Sequence, residues 1–168
     1  MSTTNRWLTL LVVVLAVAAA YGAALSWQTH GARADAATRQ DRYGQAMRAA
    51  GTEVTAFVNM RHDRAQESVD AVAAGATGDF RAHYVSSADQ VIRAMKRSRS
   101  TMTGHVVWSG VSDLSPTQAT VIVATSGTVA NRRTGGRQEA REFRFQVSLL
   151  RVGGRWLTSD LQFVGGAR

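Results

Sequence analysis

The distribution of hydrophobic residues divides the chain into three stretches with different periodicities. No charged side chain occurs from Trp7 to Thr29, and Leu8–Leu25 reads LTLLVVVLAVAAAYGAAL. Eighteen residues of helix span roughly 27 Å, close to the ~30 Å hydrocarbon thickness of a bilayer. Trp7 and Trp27 flank the run, where indole rings favour the membrane interface. The pattern predicts a short N-terminal tail over 1–6, a transmembrane helix over 7–27 and a juxtamembrane linker over 28–34. A cleaved signal peptide is the alternative, with Arg6 and the small residues of Ala18–Ala24 in its favour. The run exceeds the usual ~7–15-residue signal core, which favours retention.

From Asp35 to about Met60 the apolar positions are Tyr43, Met47, Ala50, Val54, Phe57 and Val58. Steps of three and four place them on one helical face. Arg39, Arg42, Arg48 and Glu53 are expected largely off that face. Such a stripe packs on a sheet or against a second copy. Asp63–Ala74 reads as a short second helix with Ala65, Val69, Val72 and Ala73 inward, closed by Gly75 and Gly78. A third helix is expected to start at a Thr77 or Asp79 cap and run to about Arg97. Its apolar face is Phe80, Tyr84, Ala88, Val91, Ile92 and Met95.

After Ser100 the period changes to two. Strands are predicted over Thr103–Leu114, Gln118–Ala130, Glu139–Val152 and Arg155–Val164. Ser115-Pro116-Thr117 is a turn, since Pro donates nothing to a ladder. Asn131–Gln138 is a basic loop, and Gly153-Gly154 marks a two-residue hairpin. In the third strand Phe143, Phe145, Val147 and Leu149 share a face. In the fourth, Leu157, Leu161 and Phe163 oppose Trp156, Thr158 and Asp160. Helices first and strands afterwards argue α+β, with an antiparallel meander of short links. The expected domain over 35–168 is therefore a curved four-stranded sheet covered by amphipathic helices.

Composition narrows the chemistry. The chain of 168 residues has no cysteine, which excludes disulfide scaffolds, thiol nucleophiles and thiolate metal sites. Its formal charge is +8, and a basic excess raises attraction to polyanions. The charge is dispersed, however, and almost all of it is arginine, as in chains encoded by GC-rich genomes. The densest patch is Arg132, Arg133 and Arg137. It reads either as a phosphate-binding loop or as a solvated hairpin tip. No aromatic residues are interleaved there for base stacking, so no specific nucleic-acid partner is expected.

Candidate catalytic groups are sparse. The glycine pairs sit in hairpins rather than between a strand and a helix. No serine lies in a nucleophile-elbow motif. His30, His62, His83 and His105 are far apart and show no metal-ligand spacing, so no metal or cofactor is expected. Glu139 and Glu142 read as solvated strand partners of arginines. Asp160 is the strongest acid candidate: a sheet-lined pocket would raise its pKa and make it a general base. An edge position or an arginine pair is the plainer reading. Trp108, Tyr84, Phe143 and Trp156 either line a lipid pocket or form ordinary core.

In order, the chain has a single membrane helix, an Ala- and Arg-rich helix and the segment Ala76-Thr77-Gly78-Asp79-Phe80-Arg81. The strand Gly104-His105-Val106 to Gly110-Val111 follows, then a Val-rich strand ending Thr128-Val129-Ala130-Asn131. The close is Val152-Gly153-Gly154-Arg155-Trp156-Leu157-Thr158-Ser159-Asp160-Leu161-Gln162-Phe163-Val164. Over nearly its whole length this series resembles the Mce-associated membrane proteins of actinobacteria, which accompany Mce-type lipid importers. One departure is Asn59-Met60-Arg61-His62, more polar than that helical region of the family. The resemblance implies an NTF2-like or VirB8-like cone on the outer side of the plasma membrane, with a cytoplasmic N-terminus. A plain count of flanking arginines points to the opposite topology. It also implies a noncatalytic accessory subunit that stabilises or assembles the importer and carries no transferable catalytic residue. Partners would be Mce-type transporter subunits and the bilayer, with a second copy left open. The alternatives are a lipid or sterol binder using the cone pocket, or a small-molecule enzyme with Asp160 as base.

Overall fold

A computed structural model describes residues 36–165. The expected membrane helix over 7–27 lies outside the described residues, and among those described no helix is long and apolar enough to cross a membrane. The packing described below lies within the compact unit that begins at Arg42.

Helix α1 is described over 36–57 and runs unbroken through Gly44 and Gly51. A short 3-10 turn, His62–Arg64, leads into α2, Ala65–Gly75. The expected third helix is two: α3, Gly78–Ser86, and α4, Ala88–Ser98. The break falls at Ser87, whose hydroxyl donates to His83 O at 2.8 Å and to Tyr84 O at 3.1 Å. A serine that bonds the preceding turn competes with helix continuation, and periodicity alone does not register this. Thr77 occupies the N-cap position of α3 but makes no side-chain cap bond. Arg99, at φ 51°, closes α4 in the left-handed conformation.

Strands β1 (Thr101–Leu114), β2 (Gln118–Ala130), β3 (Glu139–Val152) and β4 (Arg155–Phe163) form one antiparallel sheet in the order β1-β2-β3-β4. The meander matches the strand order read from the sequence, and β2 and β3 keep the alternation expected of them. Gly153 and Gly154 both have positive φ, 56° and 81°, as the mirror-image two-residue turn requires.

The core lies between α1 and one face of the sheet. Ala46, Ala50, Val54 and Val58 pack on Ala119, Val121, Val123, Phe145, Val147 and Leu149. Small residues on α1 let the helix sit close to the branched side chains of β2 and β3. Phe57, Phe143, Phe145 and Phe163 close this layer, with Phe145 and Phe163 centroids 4.8 Å apart and Phe57 edge-on to Phe145 at 5.7 Å. Tilted and edge-on pairs of this kind add to simple burial.

In β4 the expected alternation fails. Ser148 pairs with Asp160 and Leu149 with Thr158, leaving Ser159 as the extra residue of a bulge. A bulge shifts side chains to opposite faces beyond it. Trp156 and Thr158 therefore share the helix-facing side with Leu161 and Phe163, while Leu157 and Asp160 face away.

The polar segment Asn59–His62 has a structural use. Asn59 Nδ2 donates to Gly104 O at 2.8 Å, and Gly104 N donates to Asn59 Oδ1 at 3.2 Å. Met102 N donates to Met60 O, and Arg61 bridges Thr101. The segment pairs with the first part of the exposed edge of β1, which would otherwise carry unsatisfied backbone groups.

Candidate functional site

Three buried side-chain atoms find no hydrogen-bond partner among the described residues: Glu53 Oε1, Tyr84 Oη and Trp156 Nε1. They come from α1, α3 and β4. Glu53, expected off the apolar face, is only 2% exposed, and Trp156 7%. The fold brings the three elements together. The link between α2 and α3 is fastened to β4 by Thr77 N–H donating to Thr158 O at 2.8 Å, and by the Ala76–Thr158 bridge. Helix α3 then packs on β4. Trp156 belongs to the same buried cluster as Ala50 and Val54, the residues around Glu53 on α1.

Gly75 makes room for the acid. A Cβ at this position would collide with Glu53 Oε2, so the carboxyl group lies directly on the backbone at the end of α2. Among the described residues no ion pair to it is seen. Burial pushes its pKa up to about 7, because desolvation disfavours the charged form. Burial also pushes the Tyr84 phenol up to about 12, with a smaller contribution from the negative charge of Glu53. A neutral carboxyl, a phenol and an indole N–H can all donate hydrogen bonds into this interior.

The residues singled out in the sequence are distributed differently. Asp160 stands on the sheet face away from the helices and accepts from Gln162 Nε2 at 2.5 Å. It is outside the interior that would make it a pocket base. Of the four aromatics proposed for a pocket or core, only Tyr84 and Trp156 contribute to the polar interior. Phe143 joins the phenylalanine layer. Trp108 is 57% exposed and lies on the outer sheet face across Gly110.

His62 Nδ1 lies 2.9 Å from Thr101 Oγ1, while His83 and His105 are exposed. His30 lies outside the described residues. Among the described residues no three potential ligands gather for a metal. Arg132, Arg133 and Arg137 are exposed around a turn organised by Asn131 and Thr134. Glu139 pairs with Arg141 at 2.7 Å. A separate open groove of about 410 Å³ lies between Arg48, Gly51, Thr52 and Thr55 of α1 and Val106 of β1.

Sequence reading missed Glu53 by treating charge as a mark of solvent. Its spacing was the available signal: it lies three residues after Ala50 and four before Phe57, within the inward stripe.

A family model described as "Uncharacterized protein Rv1363c/MT1408-like" matches residues 2–165. The chain belongs to this family. Protein Rv1363c of Mycobacterium tuberculosis (strain ATCC 25618 / H37Rv) is 28% identical over 138 residues, covering 82% of this chain and 51% of Rv1363c. The chain thus spans about half the length of that relative.

Three solved structures share the fold. An IcmL-like type IV secretion system protein from Legionella pneumophila aligns with TM-score 0.58 and 12% identity, over 72% of this chain and 91% of that one. A periplasmic fragment of TraM aligns with TM-score 0.58 and 11% identity, over 73% and 97%. A ketosteroid isomerase-like protein from Erwinia carotovora atroseptica SCRI1043 aligns with TM-score 0.53 and 20% identity, over 74% and 98%. These likenesses place the described domain in the NTF2-like/VirB8-like α+β fold, a scaffold that by itself assigns no activity.

Proposed function

We propose that the chain is a noncatalytic accessory subunit of an envelope assembly, tethered by residues 7–27 and acting through contact by its folded domain. The carrying observation is the uncharged apolar run ahead of a helix-covered sheet whose fold matches an IcmL-like secretion protein and a periplasmic TraM fragment. One face of the sheet is packed against α1, which leaves outward surfaces for partners. In this reading the domain lies outside the plasma membrane and the partners are subunits of an Mce-type lipid importer. The motifs from Ala76 to Arg81 and from Val152 to Val164 support that finer assignment. Affinity purification of the full chain from membranes tests it: importer subunits should co-purify in fixed ratio, and recovery of the chain without them refutes it.

A second reading is favoured by a specific observation. The interior holds Glu53, Tyr84 and Trp156 with unused hydrogen-bonding capacity, which supports binding of a hydrophobic molecule with a polar group. The two readings are compatible, since an accessory subunit of a lipid importer can itself hold a lipid. The enzyme reading through Asp160 has no corresponding support, because that carboxylate faces away from the helices.

A further inference from the structure

We propose that the end of the domain where the β2–β3 turn meets the C-terminus of α4 is a cationic docking surface for a carboxylate-rich face of a partner subunit, which builds on the contact reading above and names the chemistry of the contact.

These charges are scattered in the sequence and gathered by the fold. Arg132, Arg133 and Arg137 belong to the turn, and Lys96, Arg97 and Arg99 to the end of α4. Arg132 N–H donates to Ser98 O at 2.8 Å, and Thr101 pairs with Ala130. These backbone bonds hold the two groups side by side. All six residues are exposed. Acids close by in the fold have arginines of their own. Glu139, just after the turn, pairs with Arg141 at 2.7 Å. Asp63, on the 3-10 turn that packs on α4, pairs with Arg61 at 2.6 Å. Among the described residues none of the six has an ion pair.

A helix C-terminus favours cations, which accounts for the α4 group alone. It does not account for three further arginines held against that group, where like charges repel. Nor does it account for Arg99, at φ 51° the one non-glycine residue with positive φ among those described. Glycine usually ends a helix in this conformation, because a Cβ there is strained. Here a guanidinium stands at the junction in spite of the strain. The turn itself is fixed. Asn131 Oδ1 accepts from the N–H groups of Arg133 at 2.9 Å and Thr134 at 3.2 Å, and Thr134 Oγ1 donates to Arg137 O at 2.7 Å.

The surface selects its partner by charge and by what it lacks. Guanidinium forks take carboxylates in paired hydrogen bonds. No aromatic side chain stands among the six, either to stack on nucleic-acid bases or to seat in a bilayer interface. The patch also adjoins the C-terminal end of α1, since Met102 N–H donates to Met60 O. Roughly 24 Å of helix separate that end from Arg42, where the compact unit begins. The patch is remote from the point at which a tethered chain reaches its domain, which suits a neighbouring subunit rather than the anchoring bilayer.

The test holds the full chain in phosphatidylcholine nanodiscs. Fluorescein-labelled oligoglutamate and oligothymidylate of equal charge are titrated by fluorescence anisotropy, and phosphatidylglycerol vesicles by co-flotation. Oligoglutamate should bind saturably, more tightly than either phosphate probe, and weaken as salt screens the charges. R132Q/R133Q/R137Q should weaken it about tenfold, the value of a few exposed ion pairs. R99G should weaken it about threefold, as for one such pair, while circular dichroism shows a thermal midpoint held or raised by relief of the strain. R144Q/R151Q/R155Q removes the same charge elsewhere on the sheet and should stay within about twofold of wild type, since distant charges are screened. Equal loss in that variant would reduce the binding to net charge and overturn the surface. Preference for oligothymidylate or the vesicles would overturn the carboxylate partner. In affinity purification from membranes, R132Q/R133Q/R137Q should lose the importer subunits that wild type recovers. Their retention would overturn the surface and leave the accessory reading intact. Wild type that recovers none would refute the accessory reading and the surface with it.

Discussion

The two regions of the interior obey different rules. Where α1 crosses β2 and β3, the facing positions are apolar except Thr125, and the fit is closed by four phenylalanines. Where α2, α3 and β4 meet, an acid, a phenol and an indole are enclosed together, and a glycine makes the space for the acid. The first region is what a stable domain needs and nothing more. The second retains polar groups that a purely structural core would replace with hydrocarbon. The contrast marks the second region as the one whose polar groups packing alone leaves unexplained.

The largest effect should come from breaking the apolar region. Phe145 is fully buried, and F145A should destabilise the domain by about 3–5 kcal/mol, the usual loss for truncating a core aromatic. Chemical denaturation read by far-ultraviolet circular dichroism measures it. A loss below ~1 kcal/mol would mean that the α1–sheet layer is not the stabilising centre.

In the polar region the sign depends on pH. Glu53 has a folded pKa near 7, above its ordinary value of 4.5. The folded state therefore holds this proton more tightly than the unfolded state. The benefit is complete below about pH 4.5, falls as pH rises towards 7, and is gone above that. The span corresponds to about 3 kcal/mol. E53Q should remove this slope and raise stability at pH 8 relative to wild type, by an amount on the order of 1–3 kcal/mol. Parallel pH profiles for the two proteins would show that Glu53 is not the buried titrating group.

Asn59 offers a third comparison, between a polar residue that is fully used and the three that are not. N59A should cost about 1–2 kcal/mol, the value of two hydrogen bonds to the edge of β1. Amide exchange at Gly104 should accelerate with it. Unchanged exchange would contradict the edge-pairing role.

The contrast also explains how far the sequence could be read. The strands and their order were legible because one face of the sheet is buried, which imposes strict alternation from Ala119 to Val123 and from Phe143 to Leu149. Two features escaped. The Ser159 bulge reverses faces in β4 by one inserted residue, and residue types alone do not mark it. The break at Ser87 depends on a hydroxyl choosing the preceding turn over continuation. Glu53 was hidden for a different reason: a buried acid runs against the expectation that charge marks solvent. Its enclosure depends on Gly75, a residue that the sequence presents only as a helix end.

The smallest effect belongs to the exposed sheet face. W108A should change stability by less than about 0.5 kcal/mol, as for most surface substitutions, because the indole is more than half exposed. If that face is a partner contact, the same variant should nevertheless reduce recovery of importer subunits with the chain. A large stability loss would instead make Trp108 a structural residue.

The account's central claim is tethered assembly through contact. Its most direct test is importer abundance in cells lacking the chain, complemented either by the full chain or by residues 35–168 alone. We predict that importer subunits and lipid uptake fall together on deletion, and that only the full chain restores them. Normal importer levels after deletion, or full restoration by the untethered domain, would contradict it.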